Sequence, residues 1–590
     1  MERRSPLDAA GSAAVRGRII RPLVFVLFAL FALQPLNSQT ASLSTQAPPT
    51  DSTPTSTRKI KELYSEQRWD DIVRAVPAVS PTDADLDFYY GSALAQLGRF
   101  DDAYRALLAG HYLAPVDKRF PIELAGVSFK QKRNKTATAW LRLALRIDPT
   151  DNYANDFLGT AYLLNGNLDA ALKYWNRIDK PFVETIQPDH PLRIRPALLD
   201  RALAFSPASE LRLANFKTSL TRLDGLEVFP TPRIQLAARS DGRFDALLNL
   251  RERNGFGENL WEALLSTFSG IAYQTIYPEY DNIAGSAINA TSLARWDAQK
   301  RRLAASLSGP LHQNPKWRYQ FGVDLRNENW DIRSSFAGSA PLLGSLNLRR
   351  EVATATITSF NSGRWGWSAG AEFSHRDYRS VIPGSALTPE MLLQGPQLKQ
   401  MTEIHFALLD LPEHRFVLNS SASSQLGRIW SQPAHAFLKV QGALQATWFP
   451  QFTGDDYEVQ SKLRSGGTSG DTPFDELSML GMERDNDLWM RAHIGTRAGR
   501  KGSAPLGHDY FLANNEIDKN VYSNGLITLK ISPFLDTGKI SDGSTALGSP
   551  NWLWDTGAQA KLRVLGVGVT FTYGKDLRTG NNAFYFTAGR

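Results

Sequence analysis

LWMRAH (488–493) carries Arg491 just after an apolar pair, and ISPFLDTGK (531–539) carries Asp536 in a run whose residues alternate in character. Along 527–536, Ile527, Leu529, Ile531, Pro533 and Leu535 share one face. Thr528, Lys530, Ser532, Phe534 and Asp536 share the other, because strand side chains alternate. A strand that is apolar on one face and charged on the other suits a membrane barrel with a wet lumen, or a sandwich of soluble sheets. A carboxylate on a confined wall needs a cation, and an arginine can meet it with two parallel hydrogen bonds. Catalytic chemistry is not indicated. The nine histidines are scattered without metal-ligand spacing, and no P-loop, nucleophile elbow or dinucleotide fingerprint occurs. The chain is therefore expected to be no enzyme and to use no cofactor and no metal.

Composition narrows the partners. A net charge of +7 is spread over 590 residues without clustered Lys/Arg runs, so no nucleic-acid partner is expected. The absence of cysteine excludes disulfides and thiolate metal sites. An arginine-rich start, the apolar run LVFVLFALFAL (23–33) and small polar residues near Ser38 read as a secretory signal peptide over 1–38. Residues 39–57, rich in Ser, Thr and Pro, read as a flexible linker.

Three kinds of element follow. Over 58–181 the pattern is helical and repeats. Gly91, Ala125 and Gly159 recur at one spacing, and Ala103, Ala137 and Ala171 at the same one. Small residues at two fixed phases of a period of about 34 are the tetratricopeptide signature, an all-α solenoid in which helices approach closely. Over 182–253 a helical stretch (215–229) and a hairpin signal at Ser240-Asp241-Gly242 indicate a small α+β module. Its first strand is expected loosely within 186–194. From Phe256 to the end the texture is strands, with room for an antiparallel transmembrane β-barrel of about 16 strands over 256–590.

The module at 182–253 resembles a POTRA domain. The region from about Arg193 to the end is similar to the BamA/TamA/FhaC superfamily of outer-membrane assembly and translocation barrels. That family carries an Arg-Gly-aromatic motif at the tip of a loop folded into the lumen, preceded by Leu-Gly, and a Phe-x-Asp-x-Gly motif on a later strand. Here Phe534, Asp536 and Gly538 keep the second motif, and Leu480-Gly481 followed by Arg491, Ala492 and His493 stand for the first. The resemblance implies that Arg491 pairs with Asp536 as a structural lock in the lumen, with His493 at the aromatic position and Gly481 as motif support. Ala492 replaces the motif's Gly, and a left-handed backbone is disfavoured there. A charge-swapped Arg491/Asp536 double variant is expected to restore part of the activity that either single change removes.

Three functions are open at this point. The first is an outer-membrane barrel, with its repeats and POTRA-like module in the periplasm, that assists assembly, insertion or translocation of polypeptides. Its partners would be outer-membrane lipids and client polypeptides or periplasmic partner proteins. The second is a polysaccharide or small-solute export porin, with an open lumen and no inserted loop. The third is a barrel-anchored scaffold.

Overall fold

Three of the N-terminal helices begin at a residue whose side chain satisfies a free amide. Side chains of Asp83, Asp151 and Asn167 accept from the backbone N–H groups of Asp85, Ala154 and Ala170. This computed structural model describes residues 55–76, 83–257, 260–524, 527–542, 547–564 and 567–589. The signal peptide at 1–38 and the linker as far as residue 54 lie outside the described residues. The linker's last residues are helical, since α1 (Thr55–Ser65) starts there.

Helix α2 (Trp69–Ala75) packs on α3 (Ala84–Gln96), and the helices then pair as α3 with α4 (Phe100–Leu113), α5 (Arg119–Lys130) with α6 (Asn134–Ile147), and α7 (Asn152–Leu164) with α8 (Leu168–Trp175). The recurring small residues sit at their contacts. A Cβ on Gly91 would stand 2.6 Å from Leu107 Cγ, and one on Gly159 would stand 2.4 Å from Trp175 Cδ1. Ala103, Ala125, Ala137 and Ala171 are fully buried. Gly159→Leu is therefore expected to overpack the α7–α8 contact at a cost of about 1–3 kcal/mol. Faster hydrogen exchange of the α7 and α8 amides would register it, and unchanged exchange would contradict it.

Asp87 of α3 is buried, and its Oδ2 has no hydrogen-bond partner among the described residues. Burial, and then the nearby Asp83 carboxylate, push its pKa up to about 6. The folded value exceeds the unfolded one of about 3.9. The stability this group contributes is thus complete below about pH 4 and is lost as pH rises through 6. Asp87→Asn is expected to raise the denaturation midpoint of the repeats at neutral pH and to leave it unchanged in acid. The opposite dependence would contradict this assignment.

The next module is a four-stranded sheet in the order β2-β1-β4-β3. Its strands are β1 (Phe182–Pro188), β2 (Ser209–Glu210), β3 (Arg233–Ala238) and β4 (Phe244–Asn249). Two helices, α9 (Pro196–Ala202) and α10 (Leu213–Gly225), accompany it. Strand β1 begins earlier than the 186–194 expected. Val183 is the residue that enters the core, in parallel register with Phe244, and Pro188 closes the strand.

The region from Phe256 does not open with a strand. Helix α11 (Leu260–Phe268) comes first. The described wall then starts with two short pieces, β5 (Thr275–Ile276) and β6 (Glu279–Tyr280), both paired with β7 (Asn289–Trp296). It continues through β8 (Lys300–Pro310), β9 (Trp317–Ile332), β10 (Gly344–Ser359), β11 (Trp365–Ile382), β12 (Gly395–Leu411), β13 (Phe416–Ile429), β14 (His435–Trp448) and β15 (Tyr457–Gly470). A loop follows, carrying β16 (Ser478–Met479), β17 (Thr496–Arg497), β18 (Arg500–Lys501) and β19 (Leu506–Gly507). The wall resumes with β20 (Asp509–Ser523), β21 (Ile527–Ser541), β22 (Leu553–Val564), β23 (Val567–Asp576) and β24 (Asn582–Gly589). Successive wall strands pair antiparallel, and the sheet closes into a barrel.

Alternation along β9 shows which way each face looks. Phe321, Val323 and Leu325 are exposed on the outside. Asp324, Arg326 and Glu328 turn to charged partners within: Arg302 reaches Asp324 at 2.7 Å, and Lys501 of the loop reaches Glu328 at 2.7 Å. An apolar exterior around a charged interior is the arrangement a bilayer demands.

The helical modules are joined to one end of the barrel by specific bonds. Asn167 Nδ2 donates to the Pro412 carbonyl at 2.8 Å, and Lys173 pairs with Glu413 at 2.7 Å. Lys217 of α10 pairs with Asp410. The Phe360 ring fills the space beside Gly225, and Arg318 donates to the Gly225 and Leu226 carbonyls at 3.0 Å each.

Candidate lumen clamp

The segment between β15 and β20 folds back between its own legs. β16 pairs with β19 at its base. Higher up, the Met482 amide donates to the His493 carbonyl at 2.6 Å, and the Gly495 amide donates to the Met482 carbonyl at 2.8 Å. Gly481 permits this crossing, because a Cβ there would stand 2.4 Å from Ala504 Cβ. Asn486 Nδ2 ties the turn by donating to the Gly481 carbonyl at 2.7 Å.

Arg491 lies near the tip and meets Asp536 in two parallel bonds. Nε is 2.8 Å from Oδ2 and Nη2 is 2.6 Å from Oδ1. Its Nη1 donates to Glu516 at 2.5 Å and to Gln559 at 3.2 Å. The guanidinium also stacks 3.9 Å above the Phe534 ring. Cation and carboxylate are both buried, so each needs the other's charge as well as its hydrogen bonds. Gly538 lets the loop close in, since a Cβ there would be 3.1 Å from both Leu480 Cδ1 and Met490 Sδ.

The register explains why the wall needs this cation. Asp536 stands opposite Asp555, and Asp555 opposite Asp576, on three successive strands. Like charges facing each other across a sheet repel. The loop tip supplies the compensation. Arg491 covers Asp536, the Ala492 amide donates to Asp555 at 2.6 Å, and His493 Nδ1 sits 3.1 Å from the same carboxylate. His493 Nε2 is 3.8 Å from Asp576. Among the described residues no group of three or more His, Cys, Asp or Glu is arranged to hold a metal ion.

Ala492 keeps to the expectation that a left-handed backbone is disfavoured there. Positive φ occurs in this loop at Ala498, Gly499 and Gly502, and not at Ala492. The close approach is granted from the wall instead: a Cβ on Gly574 would stand 2.3 Å from the Arg491 carbonyl oxygen.

Two further anchors were not visible in the sequence. At the loop's entrance, Glu476 receives Arg350 at 2.9 Å, Lys399 at 3.2 Å and Arg376 at 3.4 Å. Neighbouring Asp475 pairs with Arg350 at 3.0 Å and accepts from the Tyr378 hydroxyl at 2.7 Å. Past the base, Glu483 pairs with Lys300 at 2.8 Å, and Asp485 with Arg295 at 2.8 Å and Arg302 at 2.5 Å. In both, the loop brings carboxylates to a basic wall, the reverse of the arrangement at Arg491. The wall side of each shows in the sequence as charge on inward-facing positions of alternating strands, while the loop residue that meets it does not. Beside the loop a cavity of about 740 Å³ remains, with Gln425, Gln441, Gln445, Lys462 and Asp487 among its lining residues.

No protein-family model and no curated protein matches the chain. Among solved structures, BamA from Haemophilus ducreyi lacking POTRA domains 1-3 is similar over 69% of this chain and 84% of its own, at 12% identity and a TM-score of 0.38. CdiB from Escherichia coli matches 70% of this chain and 76% of its own, at 13% identity and a TM-score of 0.44. CdiB from Acinetobacter baumannii matches 69% of this chain and 73% of its own, at 12% identity and a TM-score of 0.40.

Proposed function

We propose that this chain is an outer-membrane barrel that assists assembly, insertion or translocation of polypeptides, with its repeats and small sheet recruiting clients or partner proteins in the periplasm. The observation that carries this reading is the loop clamped across the lumen through Arg491 and Asp536. A loop bound to the wall on several sides narrows the open lumen that an export porin needs. The cavity beside the loop is lined by amides, hydroxyls and charged groups interleaved with apolar side chains such as Met401, Phe406 and Leu488, a mixture that suits both the backbone and the side chains of an extended polypeptide. Strand β3 lies at the edge of its sheet, where a client strand can add by main-chain hydrogen bonds.

Two measurements on the full chain test the reading. In planar bilayers the purified protein is expected to give no steady large conductance. A photo-reactive residue at the exposed Gln235 of β3 is expected to capture extended envelope polypeptides in cells. A steady large pore together with no capture would support the porin instead.

A further inference from the structure

Helix α11 occupies the stretch before the first wall strand and touches β23 and β5. It therefore lies against the seam where the last strands of the barrel meet the first. Trp261, Leu264, Leu265 and Phe268 are all exposed, with Trp261 72% accessible. Their spacing of i, i+3, i+4 and i+7 puts them on one face of the helix. Glu262 and Ser266, one turn apart on the other side, are buried.

That polarity is the reverse of a helix packed on a water-soluble protein, which turns its apolar face in and its polar face out. The wall strands near the seam show the same reversal. Leu303 on β8, Phe571 on β23 and Phe584 on β24 are exposed. The apolar face of the helix thus continues the apolar exterior of the sheet. A helix can lie in hydrocarbon beside the closed wall because its backbone groups are satisfied internally, which the hydrocarbon requires. The C-terminal end of α11 is tied to the wall by the Tyr277 amide, which donates to the Thr267 carbonyl at 2.9 Å. Nine residues rise only about 13 Å, too short to span a bilayer, so such a helix occupies one boundary of it.

We propose that α11 is a lipid-contacting stave: its Trp261, Leu264, Leu265 and Phe268 face rests in the acyl chains at the seam, and the partner it binds is the bilayer. The chain contains no cysteine, so single reporters can be introduced cleanly. Leu264→Cys and Phe268→Cys would each carry an environment-sensitive fluorophore, with Phe321→Cys on the outer wall and Gln425→Cys beside the lumen cavity as references. The full-length protein would be folded into phosphatidylcholine vesicles with brominated acyl chains, and folding checked by heat-modifiable electrophoretic mobility. Loss of fluorescence at 264 and 268 to the extent seen at 321, with protection from aqueous iodide, is the expected result. Iodide quenching at 264 and 268 without bromolipid quenching, while 321 is quenched by lipid, would overturn the proposal and leave the barrel's own membrane placement standing.

Discussion

Arg491→Ala is expected to destabilise the folded barrel by about 3–5 kcal/mol, the cost of breaking a buried pair from one side. The same change should release the loop tip and, under the proposed function, remove client-directed activity. The guanidinium serves two carboxylates at once, Asp536 at 2.6 Å and Glu516 at 2.5 Å, and its loss leaves both without that cation. Asp536 then faces Asp555 without its cation, and only the Ala492 amide and His493 on Asp555 offset the repulsion. Arg491→Lys should recover part of the loss, because an ammonium brings charge but not the planar fork. The charge swap expected from the sequence to restore function fares worse on the structure. An aspartate at 491 would sit beside Glu516, and its neighbour Ala492 already binds Asp555. The swap is thus expected to rescue little. A drop in the heat-modifiability midpoint, with increased bilayer conductance, would register the single variant. Wild-type behaviour in both would remove the clamp from the account.

Glu476→Gln is expected to have a comparable effect at the opposite anchor. Glutamine keeps the shape and removes the charge. Arg350, Arg376 and Lys399 would then converge on a neutral amide, and Lys439 would still donate to the residue-476 carbonyl at 3.0 Å. Arg376 is fully buried, so it cannot turn to water. Asp475 and Glu372 remain to hold these cations, which places the expected loss near the lower end of about 3–5 kcal/mol. The entrance of the loop should loosen first. Trypsin cleavage at Arg484 or Arg497 in folded protein would show it, and full protease resistance at wild-type stability would refute it.

These two anchors differ in how much of them was legible beforehand. The repeats could be phased because close helix packing demands a small residue at one height on each helix, as Gly91 against Leu107 and Gly159 against Trp175 show. Arg491 and Asp536 could be paired because their motif neighbours, Phe534 and Gly538 above all, keep a recognisable spacing. Alternation in a strand reports which face a side chain occupies, but not which residue from another part of the chain will stand opposite it. Glu476 and Arg350 are far apart in sequence, and only closure of the barrel brings them together. Gly574 was hidden for the same reason, being an ordinary strand glycine until the Arg491 carbonyl is seen against it. Helix α11 was read as strand because a short apolar run satisfies both periods. Only the spacing of Trp261, Leu264, Leu265 and Phe268 separates them.

The loop tip is held inside the barrel against β21, β22 and β23. Ala492 is fully buried there, so Ala492→Cys is a small change at a shielded position in a chain without native cysteine. Intact cells would be exposed to a bulky, membrane-impermeant maleimide and the labelling of residue 492 measured. No labelling until the barrel is unfolded is the predicted result. Prompt labelling on intact cells would place the tip outside and contradict the clamp.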